Sequence, residues 1–465
     1  MAANLSPQIK IIETGRSQDG CPYQEGIVQF KEQFEFLLPD AAGNSVTIPE
    51  FQMAYSVYGN PDNPPIFVPS TLTSSHRLAH GDNPKGVSTA NSWWTSMVGP
   101  GKPIDTDHFC VIGIDWLGGC FGSTGPACIN PETGEKYDFD FPQVTLQDNV
   151  KAQKMCLEEL GFNSLAGVCS GSLGAMCAQQ WMVDYPEFAG SCYSLAGTWG
   201  HRKKDLIGHD LMRQAYHMVF HNCAKAMGKK AAASLGLKMM RVIANTQYVP
   251  IGAEAFDEGR IEQPEDMERV LHYMTSTMSW INNRSAEREP AVHPISHLYI
   301  LRMNSLYGLA HMGPIERIAS ALERVDESEK LNSTPAGRTV SLDENSREYI
   351  LRILMGLENL GEEKLGRMKR SHYHFFSYGG DLLYNPQRPA ELVTALKMLG
   401  FRHVRFHHIK GAHGHDGFAE AKNTVIREMS RGLKTAAHRW RLQQGNSIRH
   451  ARDESMRLAG REPGA

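Results

Sequence analysis

From residue 50 onward, short apolar runs alternate with stretches punctuated by glycine and proline. PIFVP (65–69) and FCVIGI (109–114) are brief, rich in β-branched or aromatic residues and bounded by turn residues, the pattern of strands buried on both faces. LAGVC (165–169) and CYSLAG (192–197) behave alike, and between them Ala175, Met176, Gln179, Gln180 and Met182 recur at helical spacing until Tyr185-Pro186. Strand–helix–strand alternation predicts a mostly parallel sheet with helices packed on its faces. Residues 200–365 break the pattern: they are rich in Met, Ala, Lys, Arg and Glu, read as long helices and show no clear strand. Strand signals return at HFFSYG (374–379) and HVRFHHI (403–409), separated by a helical stretch at 389–400. The expected organisation is a lead-in segment (1–45), a first core part (46–200), a helical cap insertion (201–365), a second core part (366–440) and a charged tail (441–465). One α/β core split by a cap fits this better than two independent domains.

Composition narrows the function classes. Of 465 residues 41% are hydrophobic and 21% charged, close to a globular average, and the formal charge is −3. That balance lacks the basic excess that phosphate-backbone binding requires, so no nucleic-acid partner is expected. No apolar run approaches the ~20 residues that cross a bilayer, and the N-terminus shows no secretory pattern. The nine cysteines contain no C-x-x-C pair, which argues for reduced thiols and no zinc knuckle. These features predict a cytoplasmic protein without membrane partner, bound metal or bound cofactor.

The sharpest local signal is LAGVCSGSLGAMCAQQW (165–181). A strand ending near Cys169 runs through SGSLG into a helix starting near Leu173, with Ser172 at the centre of the turn. A side chain presented at such a turn needs small neighbours two positions away on either side, so that strand and helix can approach. Ser170 and Gly174 satisfy this, although Ser170 stands where a glycine is usual. The helix that follows directs its first amides and positive dipole end toward any oxyanion formed there. A second register, GVCSG, centres on Cys169; Ser172 is preferred because Cys169 would need three further non-helical residues before the apolar helical period begins.

An active serine needs a histidine base and an acid that orients it. In α/β-hydrolase folds these follow the serine in the order acid, then histidine, at successive strand ends. HFFSYG leads into GDLLYNPQ with Asp381, and HVRFHHI leads into KGAHGHDGF with His413 and His415. The residues alone leave both histidines open.

These segments resemble the homoserine O-acetyltransferase family of α/β-hydrolase-fold acyltransferases. The similarity runs through SWWTSMVGPGKPIDTDHFCVIGIDWLGGCFGSTGP (92–126), NPETGEKYDFDFPQVTLQDNV (130–150), the Ser172 turn, GDLLYNPQ and GHDGF. It implies a triad of Ser172, Asp381 and His415, choosing His415 over His413. It also implies an oxyanion hole of the Leu72 and Leu173 backbone N–H groups. This chain reads Ser70-Thr71-Leu72-Thr73-Ser74 where the family has His-Ala-Leu-Thr-Gly, which changes the pocket floor but not a backbone donor. In the cap, MRQA (212–215) resembles a family stretch and offers Arg213 for an acceptor carboxylate. The family's Gly-Leu-x-x-Ala-Arg motif finds no clear counterpart there. Asp416 matches the residue placed near the acceptor's amino group.

The resemblance further implies a ping-pong acetyl transfer: acetyl-CoA as co-substrate, an acetyl-serine intermediate, a small alcohol such as homoserine as acceptor, and a homodimer built through the cap helices. A carboxylic ester hydrolase using the same triad is the alternative, because water and alcohol compete for one acyl-enzyme.

Overall fold

The structure is a computed structural model, and it describes residues 8–17, 19–80, 92–248, 292–309, 336, 339–411, 414–419 and 423–458. Nine strands form the central sheet: β1 (Gln8–Arg16), β2 (Pro22–Phe30), β3 (Phe51–Tyr58), β4 (Pro65–Pro69), β5 (Cys110–Ile114), β6 (Gly167–Gly171), β7 (Ser191–Leu195), β8 (His372–Tyr378) and β9 (Val404–Ile409). Their spatial order is β1-β2-β3-β5-β4-β6-β7-β8-β9. The first three pair antiparallel with one another and with β5. From β5 to β9 every pairing is parallel. The mostly parallel sheet flanked by helices is therefore as the alternation of apolar runs predicts.

The parallel strands are short because they are buried throughout: every residue of β4, β5, β6 and β7 is inaccessible to water. Helices cover both faces. Helix α1 (Leu146–Glu159) starts at a capping box in which Thr145 and Asp148 satisfy each other's backbone amides. Helix α2 (Ser172–Asp184) follows β6 directly and is buried along nearly its whole length. The cap contributes α3 (Lys203–Met227), α4 (Lys229–Tyr248) and α5 (Pro294–Ser305), and then α6 (Glu344–Glu358) and α7 (Glu362–Met368) lead back to the sheet. Helix α8 (Gln387–Met398) joins β8 to β9, and α9 (Asn423–Leu458) closes the chain.

Two local expectations change. Residues 8–30 form two nine-residue strands in a hairpin on the sheet, although their polar composition reads as a lead-in segment. The reason is position: β1 is an edge strand, so half of its surface faces water and the sequence need not be apolar. The stretch 441–458, expected as a frayed helix or tail, is helical and continues α9 without a break. Among the described residues no helix is long and apolar enough to cross a membrane, and no group of His, Cys, Asp and Glu is disposed to hold a metal ion. All nine cysteines are free thiols.

Candidate active site

The strand of the Ser172 turn runs two residues further than its sequence suggests. β6 continues through Ser170 to Gly171, and α2 begins at Ser172 itself, leaving no loop between them. This forces Ser172 to a φ of +53°, a left-handed conformation that is strained for a residue with a side chain. The neighbours show why they must be small. A Cβ on Gly171 would enter the ring of Phe418, and one on Gly174 would lie 2.7 Å from the Pro69 carbonyl oxygen. Ser170, in the place of a glycine, fits because its hydroxyl donates to that same carbonyl at 2.7 Å. Gly171 offers no side chain to cap α2, so the first amides of the helix, Leu173 among them, have no side-chain cap.

Three side chains from distant parts of the chain converge here. His415 Nε2 lies 2.7 Å from Ser172 Oγ, and His415 Nδ1 lies 3.0 Å from Asp381 Oδ2. Asp381 sits just beyond β8, where its other oxygen accepts the N–H groups of Leu383 and Tyr384, each at 2.9 Å. His415 opens a 3-10 turn (His415–Ala419) after β9. Since an ionised Asp381 only accepts, Nδ1 carries the proton and Nε2 is free to accept the serine's. Burial alone would depress the imidazole, but the charge and hydrogen bond of Asp381, with the charge of Asp416 added, outweigh it and raise its pKa above the ordinary value. All three groups are buried, Ser172 being 9% exposed.

Burial sets the rival Cys169 apart. Cys169 is fully buried within β6, opposite Tyr193 of β7, and burial pushes its thiol well above the usual range. A thiol so placed has neither access nor thiolate character. His413 lies outside the described residues.

Several neighbours of the histidine were not legible beforehand. Tyr384 meets the His415 ring edge-on with centroids 5.1 Å apart, Phe418 does so at 5.8 Å, and Tyr248 stacks on it at 5.4 Å. Tyr384 and Phe418 belong to the two loop motifs already singled out; Tyr248 is the last residue of α4 and carried no signal. The Trp93-Trp94 doublet supports the turn from behind: the Trp94 indole is fully buried and donates to the Phe418 carbonyl at 3.1 Å.

The predicted substrate residues fare differently. Leu72 is half-buried and packs with the cap and the core at once. Asp416 lies half-buried beside His415 in the 3-10 turn, seven residues before α9 begins. Arg213, on α3, is turned to Asp210 and to Ser305 Oγ (3.3 Å), and no described contact joins it to the triad. A different arginine faces inward. Gly236, Leu237 and Arg241 reproduce the spacing of the Gly-Leu-x-x-Ala-Arg motif, with Met240 in place of alanine, so the motif does have a counterpart on α4. Arg241, Asn245 and Tyr248 follow at i, i+4 and i+7, one face of the helix, and Tyr248 on that face reaches His415. Arg241 is 8% exposed, and its charge adds to the burial that depresses the imidazole of His297 on α5.

A parallel sheet flanked by helices, with a serine on a strained strand-to-helix turn and an acid and histidine at the next strand ends, defines an α/β hydrolase fold. The family model of that fold matches residues 81–219. Homoserine O-succinyltransferase of Neisseria gonorrhoeae is 36% identical over 217 residues, 44% of this chain and 57% of that protein. Homoserine O-acetyltransferase of Desulfotalea psychrophila is 29% identical over 383 residues, 81% of this chain and 86% of that protein. Among solved structures, esterase E22 superimposes with a TM-score of 0.64 at 20% identity, covering 88% of this chain and 100% of that one. Homoserine O-acetyltransferase from Bacillus anthracis gives 0.63 at 18%, covering 88% and 97%. The chain thus has the α/β hydrolase fold, and its sequence is similar to homoserine O-acetyltransferases and O-succinyltransferases. Its match spans a little over half the length of the Neisseria relative.

Proposed function

We propose that the protein is an acyl-CoA-dependent O-acyltransferase that moves an acetyl group to homoserine or a similar small alcohol through an acyl-Ser172 intermediate. The observation that carries the acyl-serine chemistry is the pair of contacts at His415, 2.7 Å to Ser172 and 3.0 Å to Asp381, at a serine with φ of +53°, and the similarity to homoserine acyltransferases supports transfer. His415 takes the Ser172 proton as the hydroxyl attacks the thioester carbonyl. The Leu72 and Leu173 amides receive the oxyanion, and the coenzyme leaves as a thiol carrying the proton from His415. The acceptor hydroxyl then gives its proton to His415 and attacks the ester, the product leaves, and the proton returns to Ser172. Asp381 holds the tautomer and stabilises the imidazolium without taking up the proton.

The names of the relatives support homoserine as acceptor and leave acetyl and succinyl groups as the donors to compare. Arg241 takes the role of carboxylate partner that the resemblance offered to Arg213, and Asp416 that of partner to the acceptor's amino group. The exposed apolar side chains of α3, Ile207, Leu211 and Met218, support a homodimer through the cap, which sedimentation would detect.

Ester hydrolysis is the second reading. The fold is as close to an esterase as to an acetyltransferase, and the same triad serves either once water reaches the acyl-enzyme. Purified protein should be mixed with acetyl-CoA or succinyl-CoA, with and without homoserine and a panel of other alcohols. Thiol release that depends on an alcohol supports transfer. Turnover of p-nitrophenyl acetate that responds to neither alcohols nor acyl-CoA supports the esterase.

A further inference from the structure

One buried carboxylate plays no part in the proton relay. Glu25 lies in the middle of β2, within the antiparallel part of the sheet, and is 3% exposed. It accepts from three side chains of a single loop: His76 Nε2 at 3.1 Å, Arg77 Nη2 at 2.8 Å and His80 Nε2 at 2.9 Å. Burial pushes its carboxyl up, but the His76, His80 and Arg77 donors outweigh this and hold Glu25 ionised, well below the usual carboxylate range. Because the ionised group only accepts, both imidazoles present Nε2–H to it. Burial keeps the His76 ring neutral. The Tyr58 hydroxyl lies 2.6 Å from His80 Nδ1 and accepts the N–H groups of Leu78 (2.8 Å) and Ala79 (3.3 Å). Tyr23 covers the His80 ring with centroids 4.1 Å apart and gives its own hydroxyl to Glu13 of β1.

What this network grips is the loop 70–80, which has no helix or strand of its own and carries Leu72. The other end of the loop is tied to β5 and its continuation. Ser70 Oγ donates to the Ile114 carbonyl at 3.2 Å, the Trp116 indole donates to the Thr71 carbonyl at 2.8 Å, and the Thr71 N–H is held by Ser74 Oγ at 2.6 Å. The loop lies so close on β5 that a Cβ at Gly113 would collide with the His76 carbonyl oxygen. A backbone donor lowers a barrier only if it is fixed before charge develops, since a loop that must reorganise forfeits the gain. Buried charge pairs add little net stability, and in some proteins they fix a single geometry instead.

We propose that Glu25 is a positioning residue for acylation: by holding His76, Arg77 and His80 it sets the loop 70–80 so that the Leu72 N–H meets the oxyanion formed at Ser172. The inference rests on the reading of Ser172 as nucleophile and Leu72 as donor. Glu25→Gln keeps the shape but turns one accepting oxygen into a donor that faces other donors. For p-nitrophenyl acetate, kcat/KM falls about 10- to 100-fold in this variant. The preference for that ester over its thionoester, whose bulkier, weakly accepting sulfur gains little from N–H donors, shrinks by a similar order. Tyr58→Phe, which removes only the hydroxyl that steadies Leu78, Ala79 and His80, moves both quantities in the same direction by several-fold and serves if Glu25→Gln does not fold. Leu157→Ala opens a cavity in α1 and lowers the melting temperature while leaving the ester-to-thionoester ratio at its wild-type value. Folded Glu25→Gln or Tyr58→Phe protein with an unchanged ratio overturns the inference, as does a Leu157→Ala variant that shifts the ratio equally. Wild-type protein inert toward acetyl-CoA and acetyl esters overturns the reading of the site and this inference together; an active wild type with unchanged variants overturns this inference alone.

Discussion

The parallel and antiparallel halves of the sheet serve the site in different ways. In the parallel half, β6, β8 and β9 are each followed by one of the three side chains that meet in the candidate site: Ser172, Asp381 and His415. Among the described residues of the antiparallel half, none is seen to reach the triad from a strand end. Glu25 and Tyr58 instead point sideways from β2 and β3 into a buried network that holds a loop belonging to the parallel half. Parallel strands buried on both faces can expose chemistry only at their rims, which gathers reacting groups on one edge of the sheet. Strands of the hairpin carry side chains that can anchor a loop without entering the cleft. Chemistry thus sits at strand ends and rigidity within strands.

The largest effect that would sharpen this contrast comes from the parallel half. Ser172→Ala removes the nucleophile and should cost about 10⁴-fold or more in thiol release from acyl-CoA, while Cys169→Ala stays within about threefold. The reverse result would move the nucleophile into β6. Next in size, Asp381→Asn should lower kcat about 10³- to 10⁴-fold by freeing the wrong tautomer. His415 must be neutral to accept the serine proton, and its pKa is raised above 6.5. The rate should therefore rise with pH through an apparent pKa above that value. Asp381→Asn should move that limb to lower pH, because it removes the charge and hydrogen bond that raise it; a pH–rate profile of kcat/KM reads the shift.

The cap offers a smaller test. Arg241→Leu should raise the KM for homoserine about 10- to 100-fold with little change in donor hydrolysis, whereas Arg213→Leu, which loses only Asp210 and Ser305, should change it less than about threefold. Smaller still is a packing effect: a Cβ at Gly236 would lie 2.7 Å from the Tyr216 ring of α3. Gly236→Ala should thus destabilise the α3–α4 pair by about 1–3 kcal/mol, seen as a lower melting temperature, despite the better helical propensity of alanine.

The parallel half was readable from sequence because β4, β5 and β7 are short, largely apolar runs, Ser172 stands in a Gly/Ser turn between a strand and a helix, and Asp381 and His415 sit in glycine-containing loops after β8 and β9. The antiparallel half was not. Gln8–Arg16 is polar on an edge, and Ile9, Ile11 and Ile12 remain exposed, so neither alternation nor a continuous run marks it. Glu25 carries no signal in the sequence, because its three partners lie 51 to 55 residues away. In the cap, attention to MRQA put the arginine on α3, and the substitution of Met240 for alanine hid the matching spacing on α4. Tyr248 gave no sign, since only the tertiary fold brings the end of α4 to His415.

The most direct measurement is the site of acylation. Protein mixed with acetyl-CoA in the absence of acceptor, quenched and digested, should carry one acetyl group on the Ser172 peptide, lost again when homoserine is added before the quench. An acetyl group on Cys169, or coenzyme A release with no covalent intermediate at Ser172 in either condition, would contradict the account.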